Sequence, residues 1–228
     1  MGYAKKSERI PTLPVFPEQS RYNIIEQPID WINEVRQMKI INAIPKEHQP
    51  IYWWLKYHLR RPSEGMALYR EDYITELDAF IIRRGVSDHQ VIEQTKTKKI
   101  PPPIPCHPDF RPIMKKMVVR MDSPFFFTHS GGWVEGNRYT HSYLWKLWDK
   151  AKKDVGETIN MYAGLKHSSC SQLVNEKGLT IDELQMLTDH KQRKMVLKYA
   201  AVEVERRREL IQGRHHTAIT QEENSQSK

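Results

Sequence analysis

Hydrophobic positions near the start of the chain recur at helical spacing. The first amphipathic run after Asp30 consists of Trp31, Ile32, Val35, Met38 and Ile41. A second run, Ile51–Tyr57, follows Pro50, and Met66–Leu68 indicates a further short helix. Because apolar residues three and four apart share one face of a helix, this spacing predicts helices packed by one side onto a core.

Between residues 73 and 105 the spacing of the hydrophobic positions is no longer helical and becomes typical of strands. Phe80–Ile82 and Val91–Ile92 are short β-prone runs, and Arg84–Asp88 between them is interpreted as a turn-rich link. Pro101–Pro103 should end strand pairing, because proline lacks the amide hydrogen that a ladder needs. The region predicts a small antiparallel sheet of two or three strands.

Helical periodicity resumes at Pro112 and recurs to about Leu210. The later predicted helices are the one carrying the apolar stripe Tyr143, Leu144, Leu147 and Trp148, then Ser168–Asn175, then Asp182–Leu187. Gly178 is expected to cap the helix before it, and Thr180 with Glu183 predicts a capping box for the last one. The expected fold class is α+β, mostly α, with the small sheet on a helical core.

Composition narrows the possible partners. The 228 residues carry 36 Lys and Arg against 28 Asp and Glu, a formal charge of +8. This surplus favours nucleic acid as partner, although a solvated basic surface has the same composition. No apolar run is long enough for a membrane span, and MGYAKKSERI lacks a signal sequence, so we expect a cytoplasmic protein without a membrane partner. Two cysteines, Cys106 and Cys170, are too few for a disulfide framework or a zinc cluster.

The segment between Tyr162 and Tyr199 carries the strongest functional signal. Gly164–Ser169 is followed by the two predicted helices, then by Thr188–His190, with Tyr199 nine residues beyond His190. This order resembles the C-terminal half of the catalytic domain of the tyrosine recombinases, the phage integrase family. Members of that family show a His-x-x-Arg-His-Ser/Thr segment, a helix–turn–helix pair, a Leu-Gly-His turn and a tyrosine nine residues after that His.

The resemblance continues upstream and covers about residues 30–205. Arg61–Glu64, followed by Met66–Leu68 and Asp72, resembles the first-arginine motif of the family. Lys96 falls where the family has its catalytic lysine, and Asp122–Phe127 resembles the strand between the two halves.

The resemblance implies a chemistry for these residues. It makes Tyr199 the nucleophile in site-specific DNA recombination or integration, through a 3′-phosphotyrosyl intermediate, with Arg61, Lys96, Lys166 and His190 as the other catalytic residues. Guanidinium groups can neutralise the charge that develops on a phosphodiester under attack, and a lysine can protonate the departing 5′-oxygen. No metal and no cofactor is expected, because the bond energy stays in the covalent link.

The implied partner is double-stranded DNA. The implied DNA-binding residues are Arg61, Lys96, Lys98, Lys166, His167, Lys191 and Arg193. The active assembly is expected to be a tetramer on DNA, while the isolated chain can be a monomer. Residues 1–28 are expected to be a Pro-rich linker, 29–205 the catalytic domain, and 206–228 a tail that docks on a neighbouring protomer, with a disordered end. The resemblance places the gene in a bacterium, a phage or another mobile element.

Three positions depart from the family pattern. Lys166 stands in place of the second arginine, Ala163 in place of the first histidine, and Asp189 in place of a glycine. Lysine keeps the charge but loses the bidentate fork, and Asp189 opposes anion binding. Two interpretations follow: a working recombinase with a variant site, or a degenerate member that binds DNA without cleaving it. Retention of Arg61 and Tyr199, with Lys96 and His190, favours activity.

Other interpretations stay open. A type IB topoisomerase uses the same chemistry, and a DNA-binding regulator or an RNA-binding helical domain would share only the charge. Taken singly, Arg61 with Glu64 fits a surface ion pair, Lys96 a solvated hairpin, His190 a helix cap and Tyr199 a core residue.

Overall fold

The structure, a computed structural model, describes residues 29–93, 102–118, 120–130, 135–188 and 193–200. The predicted linker 1–28 and tail 206–228 lie outside these residues. Within them, no helix combines the length and apolar character that crossing a membrane requires.

Three helices open the described chain, as the sequence predicts. They are α1 (Glu34–Ala43), α2 (Gln49–Tyr57) and α3 (Pro62–Met66). The third begins four residues before the predicted Met66–Leu68 run and ends at Met66. Its start is set by Pro62, because proline at the first position of a helix sacrifices no hydrogen bond.

Within the described residues, five short strands follow in two separate antiparallel sheets. They are β1 (Tyr73–Ile74), β2 (Ala79–Phe80), β3 (Arg84–Ser87), β4 (Gln90–Glu93) and β5 (Ile104–Pro105). The first sheet has the order β1-β2-β5, with Phe80 opposite both Tyr73 and Ile104. The second is the hairpin β3–β4, with Val86 opposite Val91.

Two predictions about this region were wrong. Residues 84–87 form strand β3 instead of a link, and the turn is confined to Asp88 and His89, whose φ angles are 48° and 64°. Two consecutive left-handed residues make the tight turn that matches strand twist, so a short hairpin fits here. Pairing also continues after Pro101–Pro103, because β5 is an edge strand, where Pro105 needs no inward-facing amide. The three-stranded sheet was predicted; the separate hairpin was not.

The second half of the chain is helical. Its elements are α4 (Arg111–Lys116), α5 (His141–Asp154), a π-helical turn (Ala163–His167), α6 (Ser168–Asn175), α7 (Ile181–Thr188), α8 (Arg193–Leu197) and a 3₁₀ turn (Lys198–Ala200). The predicted capping box is confirmed, since the Thr180 amide donates to Glu183 at 2.8 Å and the Glu183 amide donates back to the Thr180 hydroxyl at 3.3 Å. The expected cap at Gly178 is displaced: α6 ends at Asn175 with Glu176 as its C-cap, and Gly178, with a φ of +77°, lies two residues beyond that cap.

Among the residues that the structure describes, two hydrophobic clusters hold these elements together. The larger contains Trp54 and Phe80 with Leu144 and Trp148, so the predicted apolar stripe of α5 is confirmed as core. The smaller consists of Leu59, Cys170, Leu184, Val196 and Tyr199. The C-terminal helices therefore pack on a second core of their own.

The π turn is the local feature that positions the site. A π turn widens the helix and leaves carbonyls without their usual partners. Here the Gln37 side-chain amide donates to the carbonyls of Gly164 and Leu165 at 2.8 and 3.2 Å. The Ser168 hydroxyl donates to the Ala163 carbonyl at 2.7 Å. Side chains thus satisfy the carbonyls of the turn.

Gly164 allows this turn to approach α5 closely. A Cβ atom at position 164 would lie 2.3 Å from Cζ2 of Trp148. We therefore expect Gly164→Ala to lower the free energy of unfolding by about 2 kcal/mol through overpacking of the core. In a Trp148→Phe background the clashing atoms are absent, so the same substitution should be at least about 1 kcal/mol less destabilising. Urea unfolding of the four proteins measures this coupling, and equal losses in both backgrounds would contradict the steric explanation.

Candidate active site

Arg61 lies directly before α3, and the carboxylate of Glu64 in that helix contacts both its backbone and its side chain. The Arg61 amide donates to Oε2 of Glu64 at 2.8 Å, and its guanidinium Nη1 lies 3.4 Å from Oε1. The Glu64 side chain is buried, whereas that of Arg61 is 49% exposed. Desolvation lowers the pKa of Arg61, but Glu64 and the hydroxyl of Tyr162 together outweigh it and raise that pKa. The result is an ordered guanidinium that still faces solvent.

Lys166 lies on the π turn, buried beside the same carboxylate. Only 1% of this residue is exposed. Burial lowers the pKa of Lys166, and the nearby Arg61 and Arg60 lower it further, while Glu64 opposes the shift. Within the described residues, no side chain or carbonyl accepts a hydrogen bond from its ammonium group. Lys166 therefore contributes charge near Arg61 from inside the protein.

Tyr199 completes the cluster from the C-terminal 3₁₀ turn. It is 5% exposed, and its ring meets the edge of His167, with centroids 5.7 Å apart. Burial raises the pKa of Tyr199, Cys170 and Tyr162 add to the rise, and Arg61 opposes it. The phenol is therefore protonated at neutral pH.

His167 connects Tyr199 to a second tyrosine. The His167 ring also meets the Tyr162 ring, with centroids 4.8 Å apart and an interplanar angle of 81°. Burial and the neighbouring Lys166 lower the pKa of His167. At neutral pH this imidazole is uncharged and can accept a proton.

Arg60 is a structural member of the cluster that the sequence analysis missed. It is buried and donates to the carbonyls of His58 at 2.9 Å and Leu187 at 2.8 Å. Arg60 directly precedes Arg61, so these bonds attach the chain at Arg61 to the end of α7. The sequence shows two adjacent arginines and gives no signal as to which one is buried.

Four of the predicted site residues come together: Arg61, Lys166, His167 and Tyr199. Arg193 begins α8 and pairs with Asp182 of α7 at the surface. The other predicted site residues, Lys96, Lys98, His190 and Lys191, lie outside the described residues. Across the described ranges, no group of three or more His, Cys, Asp or Glu side chains could hold a metal ion.

The β3–β4 hairpin is anchored to the end of the first-arginine motif. Asp72 is buried and accepts from the Tyr69 amide at 2.8 Å, from Arg83 at 3.0 Å and from Arg84 at 3.1 Å. The Arg84 guanidinium also lies 4.0 Å from the centre of the Tyr69 ring. These contacts fix the strand pair whose end, Glu93, precedes residues 94–100.

Comparison with known proteins gives structural neighbours only. No protein-family model and no curated protein sequence matches the chain. The Tn1549 transposon integrase, in complex with a circular intermediate DNA, matches with a TM-score of 0.64 at 16% identity, covering 92% of this chain and 74% of that one. XerA recombinase matches with a TM-score of 0.60 at 15% identity, covering 93% and 71%.

A third neighbour shows the same likeness. A lambda integrase dimer bound to a COC′ core site matches with a TM-score of 0.58 at 13% identity, covering 87% of this chain and 68% of that one. Together these neighbours confirm the fold class expected from the sequence.

The buried ammonium of Lys166 makes a testable contribution to stability. The unfolded chain holds this proton up to a pKa of about 10.4, whereas the folded protein releases it at lower pH. The free energy of unfolding should therefore gain a component that rises with pH between the lowered pKa and about 10.4. Lys166→Met should remove that component and should be neutral or stabilising by about 1 kcal/mol at pH 7, because burying an ammonium is costly.

Denaturant unfolding of wild type and Lys166→Met at a series of pH values measures the difference. Lys150→Met is the matched control, since the Lys150 side chain is exposed. A difference between wild type and Lys166→Met that stays constant with pH would contradict a lowered pKa at Lys166.

Proposed function

We propose that this chain, which has the fold of the tyrosine recombinase catalytic domain, is a site-specific DNA recombinase that cleaves and rejoins strands through Tyr199. The observation that carries the proposal is the cluster of Arg61, Lys166, His167 and Tyr199. These residues come from distant parts of the sequence and meet beside a guanidinium that faces solvent. The likeness to the Tn1549 and lambda integrases, whose structures contain DNA, supports DNA as the partner.

The proposed reaction is a transesterification at phosphorus. The Tyr199 oxygen attacks the phosphorus, the bond to the 5′-oxygen breaks, and a 3′-phosphotyrosyl link forms. Arg61 binds the non-bridging oxygens and neutralises their developing charge. The buried ammonium of Lys166 adds to the positive potential at this site, and the carboxylate of Glu64 reduces that potential. Lys96 is proposed to protonate the departing oxygen, and His190 to bind the phosphate; both roles rest on the resemblance.

His167 is proposed to receive the phenolic proton. The hydroxyl of Tyr199 needs a base because its pKa is raised. The rings of His167 and Tyr199 lie 5.7 Å apart between centroids, and the imidazole is neutral because its own pKa is lowered. A neutral imidazole beside a neutral phenol is the protonation state from which general base catalysis begins.

Tyr199 must move before it can react. Its ring belongs to the small C-terminal core, whereas Arg61 offers its guanidinium to solvent. Tyr199 is only 5% exposed in the described conformation, so its phenol must become accessible before it can attack a DNA phosphate. The proposal therefore includes a step in which the 3₁₀ turn that carries Tyr199 shifts and brings the hydroxyl to the phosphate.

The proposed active assembly is a tetramer on DNA.

A second candidate function is DNA binding without cleavage. The observation in its favour is the burial of Lys166 at the position of the second arginine. A buried ammonium cannot form the bidentate contact that a guanidinium gives a phosphate.

A type IB topoisomerase activity would instead appear as relaxation of supercoiled plasmid without strand exchange.

The covalent step can be tested without knowing the DNA target. We expect the chain, incubated with a duplex library that has a randomised central region, to retain part of the library in detergent-resistant adducts. Tyr199→Phe should form none, because the nucleophilic oxygen is removed. Tyr57→Phe is the matched control and should behave as wild type, since Tyr57 stacks on His107 away from the cluster. Adducts that persist in Tyr199→Phe would remove Tyr199 from this role, and their absence from wild type would favour binding without cleavage.

The phosphate contact of Arg61 can be tested separately. Phosphate contacts release counterions, so the logarithm of the DNA association constant should fall linearly with the logarithm of the salt concentration. Arg61→Ala should reduce the magnitude of that slope by about one. Arg36→Ala should leave it unchanged, because Arg36 is already paired with Glu157 at 2.6 Å. Fluorescence anisotropy over a salt series measures both, and equal slopes for wild type and Arg61→Ala would contradict the contact.

A further inference from the structure

A cavity of about 550 Å³ is lined mainly by residues of α2 and α4 and of the segment 126–130, and it shares no residue with the candidate active site. We propose that it binds a small monocarboxylate with an apolar body, of the kind of a medium-chain fatty acid. The carboxylate accepts a hydrogen bond from His129 and is attracted by Lys46 and Lys116. This inference goes beyond the proposed function, because it does not depend on DNA cleavage.

The interior of the cavity is apolar. Its lining includes five buried members of the larger hydrophobic cluster: Ile51, Trp53, Phe126, Phe127 and Tyr139. Ile113 of α4 and Met117, which follows that helix, add two partly buried side chains. Small-molecule sites have volumes of about 300–1,000 Å³ and mostly apolar walls, so both the size and the lining suit a small ligand with an apolar body.

His129 is a buried polar side chain that lines the cavity. It is 4% exposed, and its ring lies 4.6 Å from that of Tyr139 and 4.3 Å from that of Tyr143 between centroids. Within the described residues, no group forms a hydrogen bond with its ring nitrogens. The neighbouring His48 differs, since its nitrogens lie 2.8 Å from the Tyr139 hydroxyl and 3.2 Å from the Tyr143 hydroxyl. A buried polar group without a partner is costly, so a ligand that supplies one gains a favourable contact at His129.

The protonation state of His129 indicates which ligand group fits. Burial lowers the pKa of His129, and the nearby His48 lowers it further, so the imidazole is neutral at neutral pH. A neutral imidazole has one N–H donor and one acceptor nitrogen. An ionised carboxylate only accepts hydrogen bonds, so its partner here is the N–H group of His129.

The charges around the cavity favour an anion. Among the described residues, the ionised side chains that line it are Lys46, Glu47, Lys116, Arg120 and Glu135. Arg120 is paired with Glu135. Neither Lys46 nor Lys116 forms an ion pair within the described part of the chain. Glu47 offsets one of these two lysines, so the remaining charge is balanced by a ligand that carries a single negative charge. Because both lysines line one cavity, their attraction acts over distances comparable with the Debye length of about 8 Å.

The place of binding can be tested with ω-bromododecanoate, whose bromine quenches tryptophan fluorescence on contact. Below its micelle concentration, we expect it to quench the fluorescence of the full chain in a saturable way. Trp53→Phe should remove most of this quenching, because Trp53 lines the cavity. Trp145→Phe is the matched control and should retain it, since Trp145 is exposed on α5 and lies outside the cavity lining.

The polar contacts can be tested by isothermal titration calorimetry with dodecanoate. Lys116→Glu should weaken binding about tenfold, because an attractive charge becomes a repulsive one. His129→Phe should also weaken it about tenfold, because the N–H donor is lost. Lys115→Glu is the matched control and should change the affinity less than about twofold at physiological salt, since Lys115 lies on the same helix outside the lining. Dodecyltrimethylammonium should bind Lys116→Glu more tightly than it binds wild type.

Several results would overturn the inference. They are the absence of saturable dodecanoate binding by wild type, quenching that survives Trp53→Phe, and equal effects of Lys115→Glu and Lys116→Glu. A dimer that dissociates on addition of dodecanoate would assign the cavity to a second copy of this chain, and would also overturn the inference. The adduct test with Tyr199→Phe is independent of all these results, so a failure here leaves the proposed function as it stands.

Discussion

The candidate site depends on the satisfaction of backbone carbonyls in one wide helical turn. Had Ala163–His167 continued as an ordinary α-helix, its residues would point in other directions, since each residue advances the helix by about 100°. The wide turn is tolerated because buried Gln37 donates to two of its carbonyls and also to the Ser169 hydroxyl at 3.0 Å. An unsatisfied buried carbonyl costs about 1–3 kcal/mol, so α1 stabilises the turn that places Lys166 and His167. Gly164 adds the second requirement, since any larger residue would strike Trp148.

The electrostatic balance of the site centres on a single buried carboxylate. Glu64 contacts Arg61 directly and acts on Lys166 through space. Removing an ammonium from water is unfavourable, and the attraction of Glu64 offsets part of that cost. An anion that binds at Arg61 would meet a region where three cationic groups, Arg60, Arg61 and Lys166, outnumber the carboxylate of Glu64. The arrangement keeps positive potential at the surface while only one of the cations is exposed.

The sequence alone predicted much of this arrangement and missed specific parts of it. Helices α5, α6 and α7 were predictable because their apolar spacing and caps are local properties, as the Thr180 capping box of α7 illustrates. Strand β3 was missed because a run containing Arg84 and Gly85 has the composition of a link, and only its pairing with β4 makes it a strand. The π turn has no sequence signature, since it depends on Gln37, which lies far away along the chain.

The site shows the same division between local and distant information. Residue types and spacing singled out Arg61, Lys166 and Tyr199, because the order of the motifs can be read directly from the sequence. Burial is a property of the folded chain, so the withdrawal of Lys166 from solvent could not be predicted, and the sequence left open whether Tyr199 is a core residue.

The small C-terminal core has a kinetic consequence. Tyr199 shares that core with Leu59, Cys170, Leu184 and Val196, so freeing the phenol opens a cooperative unit and not a single rotamer. Under the proposed function the reactive form is then a minor conformer, and the observed rate is the intrinsic rate multiplied by its population. A partner that binds the form with Tyr199 released more tightly than the form with Tyr199 packed increases the population of the reactive form. It thereby accelerates the reaction without changing the chemical step. Under the proposed function, the packing of these five side chains controls when DNA is cut.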